Sequence, residues 1–258
     1  METDMNRKEF IRVENLTHRF DDKVVLKDIN FTVDKGDFLA ILGPSGCGKT
    51  TILRILIGLE KPSEGKVFMD GIDITNADPS ARNMGIVFQN FALFENMTVL
   101  ENVEYALKIK KDTKANSKRV AIEMLQKMGL EEHMNKRTSE LSGGQQQRVA
   151  IARTLVLYPK VILFDEPMSA LDVDTRLSLR NEIKQIQKDY GITMVYITHD
   201  QEEAFAMADK IMVMDKAKVE QIGEPLEIIK NPANEYVQNF VISNLQIKMD
   251  SLRKYMEI

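Results

Sequence analysis

The sequence predicts an α/β fold: a mixed sheet with helices on both faces, an antiparallel β subdomain and an inserted helical lobe. Three observations carry this. Short apolar runs at residues 38–42, 161–164, 192–197 and 211–214 alternate with stretches of helical spacing, the pattern of strands linked by crossover helices. Residues 11–16 and 24–33 alternate in polarity around Asp21-Asp22-Lys23, as paired strands around a turn do. Residues 97–137 intersperse Lys and Glu among apolar positions, which reads as helical and marks an insertion between strands.

Taken in order, the elements support that outline. Asp34-Lys35-Gly36-Asp37 is a turn before the apolar run 38–42. Residues 50–59 then have helical spacing, with Ile52, Leu53, Leu56 and Ile57 on one face. Asp70-Gly71 is a hairpin signal. The lysine-rich stretch at 108–118 reads as a solvated connector. Beyond it, Leu171, Thr175, Leu179, Ile183, Ile186 and Tyr190 form a helix stripe. A helix is expected after His199, and short helices from Gln221 onward. The whole reads as one domain over 1–240, with the helical lobe at about 90–158 inserted in it. Residues 241–258 read as a short tail with no room for a regulatory domain.

Composition narrows the function. The chain has 258 residues, 43% of them hydrophobic, enough for a sizeable core. Its net charge of -4 gives no support to nucleic-acid binding. One cysteine, Cys47, excludes an internal disulfide and fits a reducing compartment. The polar start at residues 1–10 is unlike a signal peptide, and no apolar run is long enough to span a bilayer.

The glycine-rich segment Gly43-Pro44-Ser45-Gly46-Cys47-Gly48-Lys49-Thr50 sits between an apolar strand and a helix and matches G-x-x-x-x-G-K-[ST]. In that context backbone N–H groups and the helix N-terminus cradle phosphates. Lys49 reaches the β- and γ-phosphates, and the Thr50 hydroxyl is placed to ligate Mg²⁺. Thr51 continues the same first helical turn. The Cys47 thiol lies inside the loop, so its modification by a maleimide is expected to block nucleotide binding. The strand at 161–164 ends in Asp165-Glu166. A carboxylate there suits Mg²⁺, and its neighbour suits orientation or deprotonation of a water.

Leu141-Ser142-Gly143-Gly144-Gln145 precedes an apolar helix. Bottom-up, Ser142 and the paired glycines make a second anion-binding N-terminus, or an ordinary capped helix. With this LSGGQ segment upstream of the acidic strand, the chain resembles the ABC ATPase family over about 11–240. The resemblance implies a P-loop NTPase fold of the ABC ATPase type, with ATP and Mg²⁺ as ligands. It also implies a head-to-tail homodimer in which Ser142, Gly144 and Gln145 of one copy cover the ATP held by the other. Phe20 matches the aromatic that stacks on adenine, although an aromatic there suits a core equally well. Gln89 matches the Q-loop that contacts Mg²⁺ or the water. Asp172, in Ser169-Ala170-Leu171-Asp172, matches the D-loop, and His199 the switch histidine near the γ-phosphate. Lys49, Gln89, Glu166 and His199 thus form the expected catalytic set, with Thr50, Gln89 and Asp165 at the metal.

The segment from Met84 to Phe94, with Met97-Thr98-Val99 and Glu101-Asn102-Val103, resembles bacterial importer subunits for polyamines, ferric iron, sulfate and organophosphonates. In such importers this apolar surface receives a helix of the membrane permease; Phe91 and Phe94 alternatively belong to the lobe's core. The resemblance implies a place on the cytoplasmic face of the membrane, with permease subunits as partners and an extracytoplasmic binding protein working through them. The alternative is an ATP-switched cassette of a non-transport complex, of cell-division or lipoprotein-release type. Those cassettes tend to read TGNLD where this chain reads Ser169-Ala170-Leu171-Asp172.

Overall fold

The computed structural model describes residues 9–109 and 111–256, with side chains outside 111–113 and 251–256. The polar start up to residue 8 lies outside this range, as does position 110 in the lysine-rich connector. The chain divides into two units, Met1–Arg82 with Thr193–Ile258, and Asn83–Ile192.

The chain enters the first unit through β1 (Glu9–Phe20) and β2 (Lys23–Asp34), continues through β3 (Phe38–Leu42) into α1 (Lys49–Ile57), and makes a hairpin of β4 (Glu64–Met69) and β5 (Ile72–Asp73). In the second unit it forms β6 (Met84–Val87), α2 (Val99–Ile109), α3 (Ser117–Lys127), α4 (Gly143–Leu155), β7 (Val161–Asp165) and α5 (Val173–Tyr190). It returns to the first unit with β8 (Thr193–Thr198), α6 (Gln201–Met207), β9 (Lys210–Asp215) and β10 (Lys218–Gly223). It finishes with α7 (Pro225–Lys230), α8 (Glu235–Val237), a π-helical segment (Gln238–Ser243) and α9 (Asn244–Met256).

In the first unit β2-β1-β4-β5 form an antiparallel sheet, and the order β10-β9-β3-β8 forms a mixed one. There β3 is parallel to β8 and β9, while β10 is antiparallel to β9. Every residue of β3 is buried, as expected of a strand flanked on both sides and covered on both faces. The register pairs Leu42 with Thr198, so the segments after β3 and after β8 leave the sheet at the same edge. In the second unit β6 and β7 are parallel, with Val87 opposite Phe164. Gln89 and the Asp165-Glu166 pair therefore also leave their strands at one edge.

Helix α1 is held at its far end by Arg82, which is almost fully buried. Its guanidinium donates to the main-chain carbonyls of Ile55 and Leu56 at 2.8 and 2.9 Å, and to those of Ala77 and Thr75 at 3.0 and 3.1 Å. A cation on the last carbonyls of a helix opposes the partial negative charge there.

Four details depart from the sequence expectations. Leu171 is buried, but it precedes the N-cap Asp172 and so lies outside helix α5. Tyr190, the last residue of the expected stripe, is only half-buried. β6 is a strand that the sequence reading left unassigned, and Gln221 sits inside β10 rather than at the start of helices.

Candidate active site

The phosphate-loop geometry follows from its glycines. Gly48 has φ 109° and serves as the N-cap of α1. A Cβ there would lie 2.6 Å from Leu26 Cδ2 and 2.7 Å from the Val25 carbonyl oxygen, so no other residue fits without displacing β2. The first turn of α1 has neither a side-chain cap nor an acidic residue. The helix N-terminus therefore presents its partial positive charge to the loop with no side-chain cap over it. Lys49, only 5% exposed, donates from Nζ to the carbonyls of Gly43 at 2.7 Å and Pro44 at 3.0 Å. The ammonium thus sits at the loop's centre. Ser45, Gly46 and Thr50 are exposed along the loop, while Thr51 is buried behind it.

Cys47 is 4% exposed. Burial pushes its thiol above the ordinary value, outweighing the opposing influence of Lys49. The loop therefore carries a protected thiol rather than an activated one. Phe20, by contrast, is 45% exposed at the end of β1. Of the two placements the sequence allowed, the structure shows the accessible one. Its ring packs edge-on against His18 at 4.6 Å. His199, on the segment after β8, is also exposed.

The second unit holds its own group of candidate side chains. Strand β7 is fully buried up to Phe164, and its last residue, Asp165, is half-exposed. Glu166 follows with φ 45°. A left-handed residue other than glycine is strained, and such strain persists where neighbouring contacts hold it. Here Ser169 supplies them: its hydroxyl donates to the Glu166 carbonyl at 3.0 Å and accepts from Gln89 Nε2 at 3.1 Å. Gln89 and the Glu166 turn are thereby tied together. Ser169 was absent from the expected site residues, because the link spans 80 positions and no spacing announces it.

Ser142 is the N-cap of α4 in a reciprocal capping box. Its hydroxyl accepts from the Gln145 amide at 3.4 Å, and Gln145 Oε1 accepts from the Ser142 amide at 3.0 Å. Gln145 Nε2 lies 3.0 Å from His133 Nε2. A Cβ on Gly144 would come within 2.5 Å of Thr175 Cγ2, so close packing on α5 alone demands a glycine. Asp172 caps α5, accepting from the Thr175 amide at 2.9 Å. That backbone bond, with the Thr175 side chain, holds its carboxyl below the usual range.

Among the described residues no cluster of His, Cys, Asp and Glu could hold a metal by itself. The Thr50 hydroxyl in the first unit, and the Asp165 carboxylate and Gln89 amide oxygen in the second, are each hard oxygen donors of the type Mg²⁺ accepts. No described helix is long and apolar enough to cross a membrane. On the lobe, Phe94 and Tyr105 are exposed at 37% and 39%, with their rings 4.8 Å apart. Arg153 lies over Phe94 and donates to the carbonyls of Phe91 and Ala92.

Comparison with known proteins gives the family. The ABC transporter family matches residues 26–169. The Fe(3+) ions import ATP-binding protein FbpC of Escherichia coli O157:H7 is 46% identical over 92% of this chain and 68% of its own length. The spermidine/putrescine import ATP-binding protein PotA of Acetivibrio thermocellus is 48% identical, over 92% of this chain and 67% of its own length. Among solved structures, cbiO1 of Clostridium perfringens, part of the ABC transporter complex cbiONQ, superposes with a TM-score of 0.81 at 30% identity, covering 97% of this chain and all of that one. A dimeric ATP-binding cassette in a post-hydrolysis state with ADP and Pi gives a TM-score of 0.73 at 36% identity, covering 83% of this chain and 98% of the other. The chain belongs to the ABC transporter family, as an ATP-binding and ATP-hydrolysing cassette.

Proposed function

We propose that this cassette powers a bacterial importer from the cytoplasmic face of the membrane, as a head-to-tail homodimer bound to permease subunits that receive cargo from an extracytoplasmic binding protein. The names of its relatives support import over the non-transport alternative. The exposed Phe94–Tyr105 pair supports the lobe as the permease contact, since contiguous exposed aromatics mark interaction surfaces. One ATPase domain spans 1–240, with the helical lobe at about 90–158 inserted in it.

The observation that carries the reading is the uncapped α1 N-terminus with the Lys49 ammonium in its loop. Gly43, Pro44, Ser45, Gly46, Cys47, Gly48 and Thr51 shape the cradle for the phosphates, and Phe20 stacks on adenine. Mg²⁺, held by Thr50, Asp165 and Gln89, would neutralise charge on the phosphates. Ser142, Gly144 and Gln145 of the second copy close over the γ-phosphate, and Asp172 packs at the dimer contact. The Glu166 carboxylate orients a water in line with the γ-phosphorus and accepts its proton as the P–O bond to ADP breaks. His199 and Gln89 fix the geometry. Positioning and charge supply most of the acceleration.

The test is Glu166→Gln, which keeps the shape and removes the proton acceptor. Turnover should fall by about 100-fold or more, with ATP retained and the dimer closed on a sizing column. Tagged and expressed in its host, the same variant should retain a polytopic permease. Undiminished hydrolysis would remove Glu166 from its role, and a single-pass or soluble partner would overturn the importer reading.

A further inference from the structure

The C-terminal helical stretch touches the rest of the first unit at three places, each leading to the candidate site. At its start, the Tyr236 hydroxyl lies 3.5 Å from the carbonyl oxygen of Met214. That same oxygen would be 2.5 Å from a Cβ on Gly43, so Tyr236 sits behind the first residue of the phosphate loop. Burial, with the negative field of Asp215 next in weight, pushes the Tyr236 phenol up to about 12, which keeps it a neutral hydrogen-bond donor. In the middle, the π-helical segment Gln238–Ser243 widens the helix. The Phe240 carbonyl there accepts from Gln201 Nε2 at 3.0 Å and from Asn244 Nδ2 at 2.8 Å. Tyr236 stacks on the Phe240 ring at 5.4 Å and 12°, so the first two contacts form one rigid piece. Toward the end, Lys248 pairs with Glu202 at 3.0 Å and with Asp200 at 3.6 Å.

Gln201, Asp200 and Glu202 immediately follow His199. The strand side of His199 is already fixed, because buried Glu203 accepts from the hydroxyls of Tyr196 and Thr198 at 2.8 Å each. Asp200 is the N-cap of α6, accepting from the Glu202 amide at 2.8 Å. Gln201, 7% exposed, cannot exchange its bond to Phe240 for water without leaving its pocket. π segments inside helices recur at functional sites, and here the segment supplies the carbonyl that Gln201 needs.

We propose that the C-terminal helix is a strut that sets His199 against the phosphate loop, with Gln201 and Lys248 as positioning residues. Any load that draws this helix away from α6, through whatever is attached to it, would lower hydrolysis while leaving nucleotide binding in place. The inference rests on the reading of His199 as part of the hydrolytic site.

The test uses the full chain, Gln201→Leu and Lys248→Ala variants, and imidazole resonances from labelled histidine. The chain has 3 histidines, and His199→Ala identifies the relevant peak. In Gln201→Leu the His199 resonances should shift and kcat should fall about fivefold, with Kd for ATP within about twofold of the parent. Lys248→Ala should do the same on a smaller scale, and Lys248→Arg should restore the parent values. In a His199→Ala background, Gln201→Leu should add no further loss. Unchanged His199 resonances and kcat in both variants would overturn the strut, and so would a full additional loss in the double variant. Full turnover by His199→Ala alone would instead remove the reading of His199, leaving the resonance shift to judge the strut. Should Gln201→Leu fail to fold, Lys248→Ala, at a half-exposed position, decides the matter on the same readouts.

Discussion

The N-termini of α1 and α4 look alike in the sequence, each a glycine-bearing turn ahead of a helix, yet they are finished differently. At α1 no side chain caps the helix, and the Lys49 ammonium is held by carbonyls of the glycine-rich loop. At α4, Ser142 and Gln145 satisfy each other's amides in a closed box. The first N-terminus thus carries no side-chain cap, whereas the second carries a reciprocal one. A serine hydroxyl that accepts from an amide still has its own proton to donate. The α4 terminus can therefore meet a phosphate oxygen without giving up its cap, as a second contact rather than as the primary cradle.

The sharpest way to break this comparison is at Gly48. Alanine there meets the Leu26 side chain and the Val25 carbonyl at a φ that only glycine adopts freely. The strain should cost about 3 kcal/mol, and most of it should fall on the loop, so ATP affinity should drop about 100-fold. Isothermal titration with ATP measures it. Near-parental affinity would mean that the loop geometry is not what binds the phosphates.

Ser142→Asp separates the two meanings of the α4 terminus. Aspartate is as good an N-cap as serine and suits the helix dipole, so thermal stability should stay within about 0.5 kcal/mol. It also sets a carboxylate where the proposed γ-phosphate of the other copy would arrive, so turnover should fall about tenfold or more. Unaltered turnover would leave Ser142 as a cap and nothing else.

The other end of α1 gives a stability test. Arg82→Met removes the donors that satisfy the carbonyls of Ile55, Leu56, Ala77 and Thr75. Leaving such groups buried without partners should cost about 3 kcal/mol in urea unfolding. Lysine should not rescue it, since a single ammonium cannot reproduce the planar fork. A loss below about 1 kcal/mol would show that water reaches those carbonyls.

The same contrast explains what was legible in the sequence. The phosphate loop was legible because backbone chemistry fixes both its residue types and their spacing. The strands β3 and β8 were legible because they are buried throughout, and β7 because it is buried up to its last residue. β6 and β10 were not: β6 is only four residues and mostly half-exposed, and β10 carries Lys218, Glu220 and Gln221 among its apolar residues. The stripe failed at its two ends: Asp172 caps α5 just after Leu171, and Tyr190 at the last turn is only half-buried. The tie from Gln89 through Ser169 to Glu166, and that from Gln201 to Phe240, join residues distant in sequence through single polar atoms. No periodicity records such contacts, and only the fold brings them together.

The smallest predicted effect tests whether the phosphate loop is closed as well as preformed. The thiolate is the nucleophile toward maleimide, and burial holds the Cys47 thiol above its ordinary pKa. At pH 8 the native chain should therefore label about tenfold more slowly than the urea-unfolded chain, and bound ATP should slow it further. Labelling should speed up as pH rises, and the labelled fraction should lose ATP binding. The linkage has a definite sign. The folded thiol holds its proton more tightly than the unfolded one, so its contribution is fully present at neutral pH and declines as pH rises past about 8.5. Cys47→Ser should flatten that decline. If the native thiol labels as fast as the unfolded one, the loop opens on the labelling timescale. The contrast with α4 would then lie in occupancy rather than in a preformed cradle. If full labelling leaves ATP binding intact, the thiol points away from the phosphates and the loop binds without enclosing it.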